Sequence, residues 1–236
     1  REREQLRHYV HLSTGNYQPR TASLYTDFGL FSAHEDIGHD VQALFMQLTG
    51  LGKAPKLKQL VDAPFHLRKF LLAKIAAESA AAQKGKPARV SAKLNALTDR
   101  EVFDALYVAS QAGVRIDLMV RGMCCLRPGV AGLSDNIRVR SIVGRLLEHT
   151  RVFYFETAGK PEVYCASADW MERNLTNRIE TCFPLLSAKI QTRVVNILTT
   201  YLQDNQQAWQ LDSEGKYHRV TPQKNEASMD AQASFV

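Results

Sequence analysis

Cysteine is scarce in this chain and unpaired along it. The four cysteines are Cys124, Cys125, Cys165 and Cys182, and none stands in a C-x-x-C pair. Neither a disulfide framework nor a zinc site is expected from that spacing, and free thiols suit a reducing, cytoplasmic compartment. No stretch reaches the roughly 18 apolar residues of a membrane span, so no transmembrane segment is expected, with peripheral attachment to the inner membrane left open. The opening REREQLRHYVHL has neither a leading Met nor the apolar core of a signal peptide, and the chain reads as a fragment. His34, His39 and His66 fall on or beside expected helices and read as surface residues, His218 lies in the tail, and no protein-bound metal site is expected. Extremes of composition are missing too. Apolar residues at 45% and charged residues at 23% are ordinary for a globular chain of 236 residues. A net charge of +6 favours an anionic partner without choosing between nucleotide, nucleic acid and lipid headgroup.

What the chain does have is arginine in one place. Val120 to His149 carries Arg121, Arg127, Arg138, Arg140 and Arg145 against Asp135 and Glu148, with no lysine. Arginine makes planar, forked contacts with phosphate oxygens, although a run of arginines also serves as a solvated face.

Periodicity places that segment in a fold. Ser32 to Glu35 has the S-x-x-E pattern of a capping box, followed by Ile37, Val41, Leu44, Phe45 and Leu48 on one helical face. The stretch from 51 to 58, LGKAPKLK, reads as a basic linker. Residues 1–50 and 51–212 are expected to be separate domains, the first incomplete, with 213–236 as a flexible polar tail. In the second domain, a helix is expected from Pro64 to about Gln83, with Leu67, Phe70, Leu71 and Ile75 as its buried stripe. Thr98 to Glu101 is a second capping-box pattern, opening a helix that Gly113 ends. Strands are expected over 114–120, 137–141, 151–155 and 162–167, and a last helix over 188–202. Helices between strands predict an α/β sandwich, a mixed sheet flanked by helices, with ligands at the carboxyl ends of its strands. Arg121 follows such an end.

Two small-polar clusters stand out beside it. His11 to Tyr17, HLSTGNY, and Ala166 to Asn174, ASADWMERN, offer hydroxyls, amides and bare backbone N–H groups of the kind that hold phosphate. Each alone is equally well an Asx or Ser/Thr turn. His149-Thr-Arg151 precedes Ser167-Ala-Asp169 by a distance similar to that between the H-x-K and G-S-x-N elements of phospholipase D-like enzymes. Here Arg151 replaces the lysine, and the aspartate of H-x-K-x4-D is not present.

Taken together, HLSTGNYQPRTASLYTDFGLFSA, KLNALTD, the arginine segment and ASADWMERN resemble the carboxy-terminal half of bacterial polyphosphate kinases of the long-chain-synthesising type. The resemblance runs in order from Arg1 to about Leu202. It implies phospholipase D-like α/β domains and a reversible transfer of the ATP γ-phosphate, through a phosphohistidine, to inorganic polyphosphate. The partners it implies are ATP or ADP and polyphosphate, with Mg²⁺ arriving as the ATP complex and the full-length protein a homo-oligomer. The family's H-x-K nucleophile and magnesium-associated arginines would precede Arg1, so this chain by itself is expected to bind without catalysing. By matching motifs, the resemblance implies nucleotide contact for Tyr25 in L-Y-T-D, Arg121 in V-R-G-M and His149 in L-E-H, with His149 also catalytic. Chemistry agrees with those roles: a ring to stack, a fork for phosphate oxygens, and an imidazole to donate as charge moves to the leaving oxygen. Two alternatives belong to other classes. A phospholipase D-like phosphodiesterase or nuclease should carry H-x-K-x4-D, which the His149 segment lacks. A non-enzymatic polyanion-binding domain, nucleic acid included, should show interleaved aromatics or a recognition helix, and neither is visible.

Overall fold

A computed structural model describes residues 7–50 and 56–235. The chain opens with strand β1 (Val10–Ser13), the single turn α1 (Pro19–Ala22), and strands β2 (Tyr25–Thr26) and β3 (Gly29–Ser32), followed by helix α2 (Glu35–Leu48). β1 and β3 form an antiparallel pair with His11 opposite Phe31. The capping box expected at Ser32 does not close. Ser32 Oγ accepts the His34 amide instead, and His34 is the N-cap without a side-chain bond. Only part of the expected stripe on α2 reaches the core: Ile37 and Leu44 are buried, while Phe45 is 64% exposed.

The larger part of the chain runs through β4 (Val61–Ala63), α3 (Leu67–Gln83), β5 (Arg89–Leu94), α4 (Arg100–Gln111), β6 (Arg115–Val120) and β7 (Ile137–Ile142). It continues through β8 (Leu147–Glu148), β9 (Arg151–Phe155), β10 (Glu162–Ala166), α5 (Glu172–Thr176) and β11 (Glu180–Pro184), ending in α6 (Ala188–Gln203), β12 (Ala208–Leu211) and β13 (Tyr217–Arg219). Nine strands make one mixed sheet in the order β13-β12-β7-β6-β5-β9-β10-β11-β4. The centre, β5-β6-β7, is parallel, and β9 returns antiparallel beside β5. The mixed sheet flanked by helices is thus as expected.

Helix α3 starts at Leu67, so Pro64 precedes it rather than forming its first turn. Leu67, Leu71 and Ile75 are buried in the core under one sheet face, with Phe70 packed at its margin. Asp99, not Thr98, caps α4 by accepting the Val102 amide. Thr98 and Asp99 both donate their amides to the Trp170 carbonyl. The 114–120 segment alternates in sequence, yet both of its faces are buried. Ile116, Leu118 and Val120 join the α3/α4 core. Met119 faces the opposite core, built from Val194, Leu198 and Tyr201 of α6 with Val10, Leu12 and Ile37 of the first segment. The buried Asp117 of that second face is satisfied by Arg89 at 3.0 Å and Arg115 at 2.9 Å.

The boundary expected near residue 50 and most of the expected linker fall on 51–55, outside the described residues. At the far side of that gap, the amides of Lys58, Gln59 and Leu60 all donate to the Asp40 carboxylate of α2. Residues 213–235 are not a free tail. β13 pairs with β12, and Ala231 and Gln232 are buried. The reason is Asp204-Asn205 at the end of α6: Asp204 accepts the Ala231 amide at 2.7 Å and Asn205 accepts that of Met229 at 2.8 Å. Polar side chains earlier in the chain anchor a segment whose own composition looks unstructured. Among the described residues, no helix is long and apolar enough to cross a membrane.

Candidate functional site

The carboxyl ends of β5 and β6, the start of β9 and the end of β10 lie at one edge of the sheet, because β9 opposes β5 with Lys93 facing Val152. The turn after β1 and strand β2 close over that edge. β2 pairs in parallel with β8, aligning Tyr25 with Leu147 and Thr26 with Glu148. Together they bound a polar pocket of about 250 Å³.

Tyr25, Arg121 and His149 all line it. The Tyr25 and His149 rings lie 4.5 Å apart between centroids, and the Arg121 guanidinium carbon stands 5.9 Å from the Tyr25 centroid. The structure thus brings together, across some 125 residues of sequence, the three side chains singled out above. Arg121 donates through Nε at 2.8 Å, and also through Nη2, to the Asn95 amide oxygen. Its protein partner is neutral, so the guanidinium keeps its charge for a ligand.

His149 is buried. Its Nδ1 lies 3.0 Å from both carboxylate oxygens of Asp27, which Thr14 Oγ1 holds in turn at 2.8 Å. Asp27 therefore takes the Nδ1 proton, and Nε2 faces Arg151 Nη1 at 2.8 Å as an acceptor. In this arrangement His149 presents no spare N–H, because Asp27 takes one ring nitrogen and the Arg151 guanidinium faces the other.

Arg151, at the position where a lysine would stand, is buried and committed. It makes a two-pronged contact with Asp169, Nε at 3.2 Å and Nη2 at 2.8 Å, and donates through Nη1 to the Thr14 carbonyl at 3.0 Å. Asp169 also accepts the amides of Asn95 at 2.6 Å and Ala96 at 3.1 Å. It is the post that joins the β5, β9 and β10 ends.

The two small-polar clusters both reach the pocket, through Thr14, Gly15 and Asn16 on one side and Ser167 and Asn174 on the other. Gly15 has a steric reason. A Cβ there would lie 1.9 Å from Asp27 Oδ2, inside any possible contact. Asn174 is buried, donates through Nδ2 to Glu180 at 2.6 Å, and has an Oδ1 without a partner among the described residues.

Sequence reasoning missed Asp27, Asn95, Arg173, Arg178 and Glu180 as site residues. Asp27 stood inside the L-Y-T-D motif and Asn95 inside K-L-N-A-L-T-D, so both were within reach. Arg173 stood inside ASADWMERN and was equally within reach, whereas Arg178 carries no such signal. Both are exposed on the pocket's other side, with no ion pair among the described residues.

The arginine segment does not act as one surface. Only Arg121 lines the pocket. Arg127 donates to the Ser213 carbonyl, Arg138 faces Asp117 at 3.7 Å, and Arg140 donates to the Leu202 carbonyl. Among the described residues no group of three His, Cys, Asp or Glu could hold a metal. All four cysteines are free, and burial pushes the Cys165 thiol up to about 12.

The family described as polyphosphate kinase C-terminal domain 2 matches residues 60–232, and polyphosphate kinase C-terminal domain 1 matches residues 1–54. The chain is 53% identical to polyphosphate kinases of Xylella fastidiosa and Pseudomonas aeruginosa over its whole length, and spans 34% of theirs. Among solved structures, a polyphosphate kinase from Porphyromonas gingivalis superposes with a TM-score of 0.93 at 39% identity, over 97% of this chain and 35% of that one. A phospholipase D family member from Salmonella typhimurium gives a TM-score of 0.46 at 14% identity.

Proposed function

This chain belongs to the polyphosphate kinase family, and from that premise we propose that it forms one wall of the active site of an ATP:polyphosphate phosphotransferase. The whole enzyme would move the ATP γ-phosphate, through a phosphohistidine outside this chain, onto inorganic polyphosphate and back. The carrying observation is the meeting of Tyr25, Arg121 and His149 in one polar pocket, with Arg121 held by the neutral Asn95 and in no ion pair among the described residues.

Each role follows from what the side chain touches. Tyr25 offers its ring beside Arg121, a surface for the base or ribose. Arg121 is held in plane by Asn95 and turns its remaining N–H groups to phosphate oxygens. Arg173 and Arg178 add two further uncompensated charges across the pocket, matching a ligand with several phosphates. Asp27 orients His149 at the pocket wall, where the imidazole would stand beside the leaving oxygen as negative charge builds on it. Mg²⁺ enters as part of the ATP complex, as substrate.

Competition titrations test this reading. ATP and long-chain polyphosphate should displace each other from the protein. Their affinity should fall as salt rises from about 50 to about 200 mM, as for other polyanions. Single-stranded DNA that displaced ATP equally well would favour a general polyanion surface instead.

A further inference from the structure

Glu148, the residue before His149, sits in a closed cluster that the pocket itself does not use. It is 4% exposed and pairs with Lys93 Nζ at 2.8 Å, itself 3% exposed. Thr26 of β2 donates to its Oε2 at 2.9 Å, and Tyr201 of α6 closes another side. The remaining partner comes from far away in sequence. Gln232 Nε2 donates to Glu148 Oε1 at 2.6 Å. The same carboxamide donates to the Leu146 carbonyl at 2.8 Å and accepts the Leu146 amide at 2.9 Å. One buried side chain therefore satisfies both backbone groups of the residue that leads into β8 and the carboxylate that ends it.

That placement matters because β8 carries the site. The Leu147 amide donates to Leu24 at 2.8 Å, the His149 amide to Thr26 Oγ1 at 3.2 Å, and Thr150 Oγ1 to the Thr26 carbonyl at 2.9 Å. β8 is two residues long and pairs only with the two residues of β2. Such a short parallel pair has little stability of its own, so its register depends on side-chain bonds around it. Gln232 is delivered by the Asp204 and Asn205 anchors on Ala231 and Met229, and Gly144 leaves room for it. A Cβ on Gly144 would lie 2.5 Å from Gln232 Oε1.

We propose that Gln232 is a positioning residue of the phosphoryl-transfer site: its carboxamide clips the Leu146–Glu148 segment onto β2 and so sets the Tyr25–His149 geometry. The inference rests on the function proposed above only for its kinetic consequence. It adds a supporting shell that reaches the site from the far end of the chain.

The test uses the full-length kinase that contains this chain, with Gln232→Ala, Gln232→Glu and Gly144→Ala. Gln232→Ala strips partners from a buried carboxylate and two backbone groups, and kcat should fall about tenfold or more. The KM for ATP should stay within about twofold of wild type, because the lost interaction is one of alignment. Amide hydrogen exchange at Leu147 and His149 should speed up in the same variant while the exchange of β5 and β6 stays unchanged, a local loosening rather than global unfolding. Gln232→Glu sets two carboxylates together, facing Lys93, Tyr201 and, across a small cavity, Arg121. That pair should share a proton as pH falls from about 8 to about 6, restoring part of the turnover, whereas wild type should show no such rise. Gly144→Ala pushes the carboxamide without removing it and should reproduce the Gln232→Ala pattern, which also covers the case in which Gln232→Ala fails to fold. Turnover within about twofold of wild type together with unchanged exchange at Leu147 and His149 would overturn the proposal. A wild-type enzyme that made no polyphosphate would sink the functional reading instead, and the exchange measurement would still decide Gln232.

Discussion

Arg121 and Arg138 come from the same arginine-rich stretch and have opposite fates. Arg121 is half-buried, locked by Asn95 and open to the pocket, whereas the Arg138 side chain is 58% exposed and faces Asp117 at 3.7 Å. Lysine keeps the charge of either but loses the planar fork. In the full-length enzyme, Arg121→Lys should slow steady-state ATP consumption roughly a hundredfold, the usual size for losing one aligned charged contact in the transition state. Arg138→Lys should leave it near wild type, since Asp117 keeps Arg89 and Arg115. Slow turnover in Arg138→Lys with normal turnover in Arg121→Lys would reverse the assignment. The resemblance pointed to Arg121 through its motif. Its protein partner was not legible, because Asn95 lies 26 residues away and meets it only where two parallel strands end side by side.

At the scale of elements, the decisive pieces are short. The turn after β1 carries Thr14 and Gly15 against Asp27, and Asp27 holds His149. Gly15→Ala introduces a Cβ where the carboxylate stands. The clash reaches all three atoms of the Asp27 carboxylate, which is tied at both oxygens, so it must leave His149 to make room. Turnover of the full-length enzyme should drop by about tenfold or more, while the melting temperature shifts by only a few degrees because the turn lies outside both cores. A variant with wild-type turnover would show that the Asp27–His149 contact is dispensable. The sequence marked this turn as small and polar, and marked the Ser167–Asp169 turn likewise. It could not separate a phosphate-holding turn from one that buttresses the Asp27–His149 pair, because both use the same residue types.

Across the whole molecule, Lys93 and Glu148 tie the sheet, β2, α6 and the last described turn to one buried charge pair. Burial is the largest influence on Glu148 and opposes its ionisation. The Lys93 ammonium and the Gln232 and Tyr201 donors outweigh burial and hold the carboxyl below its ordinary value of 4.5. A carboxylate depressed in the folded state binds its proton more readily when unfolded. Its stabilisation is therefore complete above the unfolded value and is lost as pH falls through the folded one. Protonation also strands a buried lysine, a loss of about 3–5 kcal/mol when one member of such a pair is removed. Thermal unfolding followed from pH 7 downward should show the loss below about pH 4.5. Glu148→Gln, less stable at neutral pH, should show a shallower decline through that range. Parallel curves for the two proteins would remove the pair from the acid limb.

By itself the sequence determined the family and those elements whose apolar residues recur regularly, while the central strand β5 and strands β4, β11, β12 and β13 were not legible in it. Helical stripes such as Leu67, Leu71 and Ile75, and the strands over 137–141 and 151–155, are local consequences of where apolar residues recur, and the long motifs carry the resemblance without any coordinates. Tertiary structure alone decided which polar groups meet. Both faces of β6 are buried because α6 covers one that alternation in sequence would leave to solvent. Residues 213–235 hold to the fold through Asp204 and Asn205, although their composition promised a loose tail. Asp27 reaches His149 because β2 lies beside β8, and Gln232 reaches Glu148 because Asp204 and Asn205 hold the 229–231 segment against the fold. Periodicity reports which side of an element is apolar. The partner of a buried polar side chain depends on which distant element comes within hydrogen-bonding reach, and that is set by packing of the whole chain.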